Sequence, residues 1–352
     1  MNPSEQEIIV QANPLRELAY QLCIKVDIPE EHARLIADLQ VETDLRGVHS
    51  HGTRALPGYL KSVLHGDLEA DPQIRVVEEG PGYAVIDGGN GLGHPPCAMA
   101  MEMAIEKAQT TGIAATGVRN AGHFGAAACY TMMAVDQQMI GFSTTNTGGA
   151  SVAAPGGAQA VVANNALSYG FPAGSKRPIL LDMACGVSSW GKVNTLKMYG
   201  KPIPPDWLLT SEGLPTTNLD TVGRILAPAA GPRGYGLALT MGILAGPLVG
   251  GLLACHKQRD PSEHFFIAIN IACFTDYDSY VAEMEKGVET IQASKTAPDT
   301  EEVFLPGEIE WNNRQKWIEE GIPLHVDHLG SLAEIADQLG AEICWEPKLQ
   351  EA

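Results

Sequence analysis

Residues 85–93 read Val85-Ile86-Asp87-Gly88-Gly89-Asn90-Gly91-Leu92-Gly93, a strand-like run that meets glycines just before a helix. A Rossmann dinucleotide loop needs a third glycine at the helix start and an acidic residue about twenty positions on, so that backbone amides can hold the pyrophosphate and a carboxylate the ribose. Here His94 stands where that glycine belongs, Pro95 and Pro96 open the helix, and no strand ends in an acid at the required distance. The segment reads as a glycine-rich turn supporting a cleft, in a fold other than Rossmann.

Upstream of this turn, Ala19, Leu22 and Val26, then His32, Leu35, Ile36 and Leu39, recur at helical spacing. They predict helix over residues 4–45, with Pro29 opening a second helix at its first turn. A further helix through Leu60, Val63 and Leu64 ends at Gly66, and strand-like runs follow at 74–79 and 83–89. Downstream, helices at 95–110 and 125–138 alternate with apolar β-type runs at 112–118, 140–146 and 178–184, the rhythm of an α/β core. After a composition shift at Asp299 to Pro306, residues 311–324 and 331–343 read as helices against the N-terminal helical part.

At 352 residues the chain can bury a large core, and two interleaved domains are the expectation. Its formal charge of -19 repels phosphate backbones and anionic membrane surfaces, so nucleic acid is excluded as a partner. An anionic cofactor can still bind where a few amides and one or two cations set the local potential. Cysteines at 23, 97, 129, 185, 255, 273 and 344 form no C-x-x-C pair, which suits reduced thiols in a cytoplasmic protein. The N-terminus lacks a basic region followed by an apolar one, so no secretory signal is expected.

Tyr235 to Cys255 contains no charge, and Gly242, Gly246 and Gly250 repeat at the spacing of membrane helices. Without another span or a flanking cationic cluster, it reads as a helix buried at the centre of an enzyme, with Pro247 kinking it. The alternative is a non-catalytic membrane or binding protein.

The chemistry concentrates in two blocks. In His49-Ser50-His51-Gly52-Thr53-Arg54, an imidazole that exchanges a proton near neutral pH stands three residues from a guanidinium that can grip a carboxylate. That pair is the minimum equipment for reducing a 2-oxo acid. A metal-dependent hydrolase built on His49 and His51 is weaker, because no further ligand cluster at metal spacing completes it; no metal is expected. In Gly117-Val118-Arg119-Asn120-Ala121-Gly122-His123-Phe124-Gly125, a strand enters a tight turn that presents a histidine at a helix start. The helix dipole there favours the neutral imidazole.

Six ordered blocks, HSHGTRALPGY (49–59), GVRNAGHFGAAACY (117–130), LDMACGVSSWGKV (181–193), YGKPIPPDW (199–207), GPRGYGLAL (231–239) and FLPGEIE (304–310), resemble the malate/L-lactate dehydrogenase family. The resemblance covers roughly residues 10–335. It implies an α/β, non-Rossmann, mixed-sheet core of the L-sulfolactate dehydrogenase-like type, with a helical domain built from both chain ends. Residues 1–75 completed by 310–352 would form that domain, and 76–309 the core that binds cofactor and substrate.

It further implies an NAD(P)-dependent oxidoreductase acting on a small 2-hydroxy or 2-oxo carboxylic acid, with NAD favoured over NADP, in a cytoplasmic homodimer whose sites lie near the interface. On this resemblance His51 is the proton donor in reduction and Arg54 holds the substrate carboxylate. His123 aligns with a histidine assigned as proton acceptor in the ureidoglycolate branch, a competing assignment. The matching cofactor positions are Leu181, Asp182, Met183, Arg233, Gly234, Pro306, Gly307 and Glu308, with Thr147 added. Arg233 replaces the family's usual lysine, Ala121-Gly122 its Ser-Asn, and Cys185-Gly186 lie where Ser or Thr is usual. The lost polarity beside His123 leaves open an alternative, reduction of a cyclic imine 2-carboxylate. Asn164-Asn165 read equally as structural turn residues.

Overall fold

The computed structural model describes residues 6–257 and 261–343 and the backbone of 348–349; Cys344 lies outside them. Among the described residues a seven-stranded sheet runs in the order Arg75–Gly80, Tyr83–Asp87, Ile113–Ala121, Ser262–Asn270, Met139–Asn146, Ala166–Phe171, Ile179–Ala184. The one parallel pair in it joins Tyr83–Asp87 to Ile113–Ala121, through the crossover helix His94–Thr111. Parallel neighbours point their ends the same way. The loops after Asp87 and after Ala121 therefore leave side by side, and this places the site. A smaller five-stranded sheet shares a core with it, Val152, Leu208 and Leu226 packing with Phe142 and Leu167, and the fold is the expected mixed-sheet α/β type.

Helices from both chain ends share one core. Ala12–Ile24 buries Leu15, Leu18, Ala19 and Leu22, Glu30–Leu45 buries Ala33, Ile36, Ala37 and Val41, and Val326–Leu339 buries Leu329, Leu332, Ile335 and Ala336. The helical spacing of these apolar residues makes one face per helix, and burying each Leu or Ile contributes about 1.5–3 kcal/mol.

Two expectations need correction. Residues 7–10 and 322–324 are strands, not helix: Glu7–Val10 pairs antiparallel with Ile322–His325 and with 348–349, and the helix expected over 311–324 ends at Glu320. Two β-branched isoleucines in a four-residue run gain more from that ladder than from extending the helix. The apolar 235–255 segment is not one kinked buried helix. The helix Pro232–Ala245 ends at Gly246, Pro247 begins a short 3-10 turn, and Gly250 reverses the chain at φ +89°. Proline disfavours helical backbone at the preceding residue, so the chain stops there. One face packs inward through Gly234, Ala238, Met241 and Gly242, whereas Leu237, Ile243, Leu248 and Leu252 stay 40–58% exposed. Among the described residues no helix is long and apolar enough to cross a membrane.

Candidate active site

The glycine-rich turn at 88–93 carries the His123 loop. Gly122 N donates to Gly91 O at 2.7 Å, Gly93 N to His123 O at 3.1 Å, and Asn90 N to Asn120 O at 2.8 Å. A Cβ on Gly93 would collide with the Gly122 carbonyl, and one on Gly88 would sit 2.8 Å from the Ala121 Cβ. The turn is a glycine cradle for a neighbouring loop.

That loop sets the state of His123. Gly125 N–H donates to its Nδ1 at 3.1 Å, and the Tyr59 hydroxyl lies 2.7 Å from the same nitrogen. A nitrogen that accepts a backbone N–H carries no proton, so the neutral ring keeps its proton on Nε2. Burial, reinforced by His51, His94 and His264, holds the ring well below the usual histidine range. His123 is thus a neutral hydrogen-bond donor.

Opposite it stands His51, with ring centroids 5.6 Å apart. Ser50 Oγ lies 2.9 Å from His51 Nδ1. Burial and the Arg54 charge push the His51 pKa down, yet both rings keep solvent access. Arg54 reaches across to the helix Trp190–Met198, donating Nη1 to Thr195 Oγ1 at 2.7 Å and Nη2 to Gly191 O at 2.9 Å. Two of the five donors of a guanidinium are so occupied, and the rest can take a carboxylate. His49 turns away from His51: its Nδ1 lies 2.9 Å from Asp44 Oδ1, and its ring stacks on Trp317 at 5.8 Å. Among the described residues no group of three or more His, Cys, Asp or Glu is placed to hold a metal ion.

Of the sequence-predicted cofactor residues, Leu181, Asp182, Met183, Pro306 and Gly307 meet at the strand Ile179–Ala184. Leu181 and Met183 are half-buried, and the Asp182 carboxylate accepts from Ala128 N at 3.1 Å, in the first turn of the helix Ala127–Asp136 that follows His123. Asp182 is open to solvent but deep among protein atoms, and that enclosure pushes its pKa up to about 6. Pro306 O accepts from Leu180 N at 3.0 Å, and Gly307, at φ +82°, lets this contact form, since a Cβ there would lie 2.7 Å from Leu180 O. Glu308 is turned onto its own loop, accepting from Leu305 N at 2.9 Å and from Gln292 Nε2 at 2.8 Å. Gly234 N donates to Ala229 O at 2.8 Å, and Ala229 N to Cys185 O at 3.0 Å, so the 231–239 block abuts the 181–193 block.

A dinucleotide fits this arrangement. Arg233 is exposed in the first turn of the helix Pro232–Ala245, and open space lies beside Gly231. A cation in the first turn of a helix, where the dipole is positive, suits phosphate. Thr147 is half-buried just after Asn146, whose Nδ2 donates to Leu252 O at 2.7 Å and to Glu263 Oε2 at 2.9 Å. Asn164 and Asn165 prove structural: Gly186 N donates to Asn164 Oδ1 at 2.7 Å, and Asn165 Nδ2 to Ala238 O at 2.8 Å.

Residues 10–333 match the malate/L-lactate dehydrogenase family. The chain belongs to that family. It is 35% identical to the malate dehydrogenase of Pyrococcus abyssi, over 96% of this chain and 97% of the relative, and 33% identical to the L-sulfolactate dehydrogenase of Methanocaldococcus jannaschii, over 96% and 98%. The solved malate dehydrogenase of Pyrococcus horikoshii superposes with a TM-score of 0.87 at 34% identity, covering 96% of this chain and 97% of that one. As a member of the malate/L-lactate dehydrogenase family, this protein is a nicotinamide-dependent oxidoreductase.

Packing accounts for Ala121-Gly122 among its departures from the family pattern. Ala121 is fully buried, and a Cβ on Gly122 would press on Gly91 O at 3.1 Å and on the Leu68 side chain at 3.2 Å. Burial pushes the Cys185 thiol up to about 12, leaving it unreactive.

Sequence reasoning missed Asp44 and the buried His94, His264 and His328. Asp44 had a signal: it lies four residues after Gln40 and seven after Ala37, in the apolar phase of its helix. Burial pushes His94 and His264 down to about 3 and His328 to about 4, from an ordinary 6.5. Below the unfolded value the unfolded chain binds protons that the folded one refuses, so stability is full above about pH 6.5 and is lost as pH falls toward the folded values. Each ring contributes up to about 1.4 kcal/mol per pH unit in that window. Asp182, raised from 3.8 to about 6, opposes this between those two values, but as one group against three. The thermal midpoint should fall steeply below about pH 6. Calorimetry across that range checks it, and a flat midpoint contradicts it.

Proposed function

We propose that this enzyme interconverts a small 2-oxo acid and its 2-hydroxy acid, of the malate, lactate or sulfolactate kind, with NAD or NADP and with NAD favoured. The observation that carries this reading is the facing pair His51 and His123, rings 5.6 Å apart and both reached by solvent, with Arg54 on the same loop as His51. The nicotinamide, when bound, supplies or accepts the hydride. Arg54 holds the substrate carboxylate, fixing the carbonyl between the two imidazoles. His123 donates from Nε2 to the carbonyl oxygen and stabilises its developing charge. His51 gives that oxygen its proton in reduction and takes it back in oxidation. A ring whose one proton is already on Nε2 is a donor there and not a base, which favours His51 over His123 as the group that transfers the proton.

Leu181, Asp182, Met183, Gly234, Pro306, Gly307, Glu308 and Thr147 would border the cofactor, with Arg233 on its phosphates. The small residues Ala121 and Gly122 answer to packing, so they give no support to the imine alternative. The exposed apolar side chains Leu237, Ile243, Leu248 and Leu252, within sixteen residues of one another, support a homodimer, since exposed apolar surface is often covered by a partner. The six described cysteines, all free thiols, support a cytoplasmic location.

The test is absorbance at the reduced nicotinamide band with purified protein, a panel of 2-oxo acids with and without an amine, and each dinucleotide. Turnover without the amine is expected; turnover only with it would favour the imine. Arg233→Ala should raise the cofactor KM at least about tenfold while the substrate KM changes little, and Arg233→Lys should recover part of that loss. An unchanged cofactor KM in Arg233→Ala removes Arg233 from the phosphate site.

A further inference from the structure

The loop bearing His51 and Arg54 is tied down from below by one carboxylate. Asp44, in the last turn of the helix Glu30–Leu45, is fully buried and accepts three hydrogen bonds from the loop: Thr53 N at 2.9 Å, Thr53 Oγ1 at 2.6 Å and His49 Nδ1 at 2.9 Å. The loop is fitted to it, because a Cβ on Gly52 would fall inside contact distance of Asp44 Oδ1. Thr53 Oγ1 also lies 3.0 Å from His328 Nε2, so the C-terminal helix meets the same point. Burial alone would favour the neutral acid. The hydrogen bonds from His49 and Thr53 and the nearby His49 and His328 nevertheless hold the Asp44 pKa below its ordinary value.

We infer that Asp44, acting through Thr53 and His49, is a positioning residue that sets the placement of His51 and Arg54 toward the substrate. It touches neither substrate nor cofactor. Its two oxygens fix residues 49 and 53, which bracket His51 and immediately precede Arg54. A loop so clamped at both ends holds the acid and the carboxylate anchor in one geometry. A shift of about 1 Å in such groups can cost about a hundredfold in rate. The inference rests on the proposed roles of His51 and Arg54, and its test separates the two.

Asp44→Asn keeps the size but loses the charge and one acceptor; Thr53→Val loses the hydroxyl bond, and Thr53→Ser retains it. With the full-length enzyme, well below each variant's melting point, kcat, the 2-oxo acid KM and the dinucleotide Kd are measured. Asp44→Asn should lower kcat/KM for the acid about 10- to 100-fold, in both kcat and KM, with dinucleotide Kd changed less than about twofold. Thr53→Val should show a smaller loss of the same kind, and Thr53→Ser should recover most of it. If Asp44→Asn and Thr53→Val lower only the melting temperature, or weaken dinucleotide binding equally, Asp44 is structural and the inference is overturned. His51→Ala in the same assay is the control: activity lost there but kept in Asp44→Asn refutes the clamp alone, and activity kept in His51→Ala refutes the site reading beneath it.

Discussion

His51→Ala should lower turnover of a 2-oxo acid by about 10²- to 10⁴-fold, the range for a positioned general acid, with cofactor affinity nearly unchanged. The ring faces His123 at 5.6 Å, and Ser50 Oγ lies 2.9 Å from its Nδ1, leaving Nε2 to meet the substrate. The pH profile should carry its signature. Burial and Arg54 lower the His51 pKa below its ordinary 6.5, so the ring is mostly neutral at neutral pH. Oxidation of the hydroxy acid, which needs the neutral base, should rise with pH to a plateau. Reduction, which needs the protonated ring, should fall about tenfold per pH unit above the same value. His51→Ala should flatten both limbs. His123→Ala should lose rate but keep the limbs, since His123 works as a neutral donor. If the limbs vanish with His123 instead, the ureidoglycolate-type assignment is correct and the two roles exchange.

Arg54 should make the enzyme prefer a 2-oxo acid over its methyl ester by several powers of ten in kcat/KM. Thr195 Oγ1 and Gly191 O hold two of its donors and so orient the fork. An ester has no anion to meet the remaining donors, which stay unpaired in an enclosed site, and sites of this kind reject such analogues by about 10⁴–10⁵. Arg54→Lys keeps the charge without the planar fork and should give an intermediate penalty. Arg54→Met should narrow the gap mainly by harming the acid. The comparison needs the specificity constant of one acid and its ester in all three proteins. An acid preference that survives in Arg54→Met means that another cation holds the carboxylate.

Much of this could be read along the chain. The failed glycine pattern at 85–93 excluded a Rossmann loop, because such a loop is local and its residues must be adjacent in sequence. The spacing of Ala19, Leu22 and Val26 and the run 331–343 announced helices, because one buried face per helix writes itself into residue spacing. The six blocks identified the family before any contact was known.

Other features depend on residues far apart in sequence, so only the tertiary structure decided them. Glu7–Val10 became a strand because Ile322–His325 lay beside it. The helix Pro232–Ala245 was left with an open apolar face, though its sequence reads as apolar all round. The tautomer of His123 follows from Tyr59 and Gly125, and the hold on the His51 loop from Asp44 and His328. Composition and spacing determine which residues are available to bury and to react. Which hydrogen bond reaches which ring nitrogen is set only when the parallel strands Tyr83–Asp87 and Ile113–Ala121 bring their following loops together and the two chain ends close beneath them.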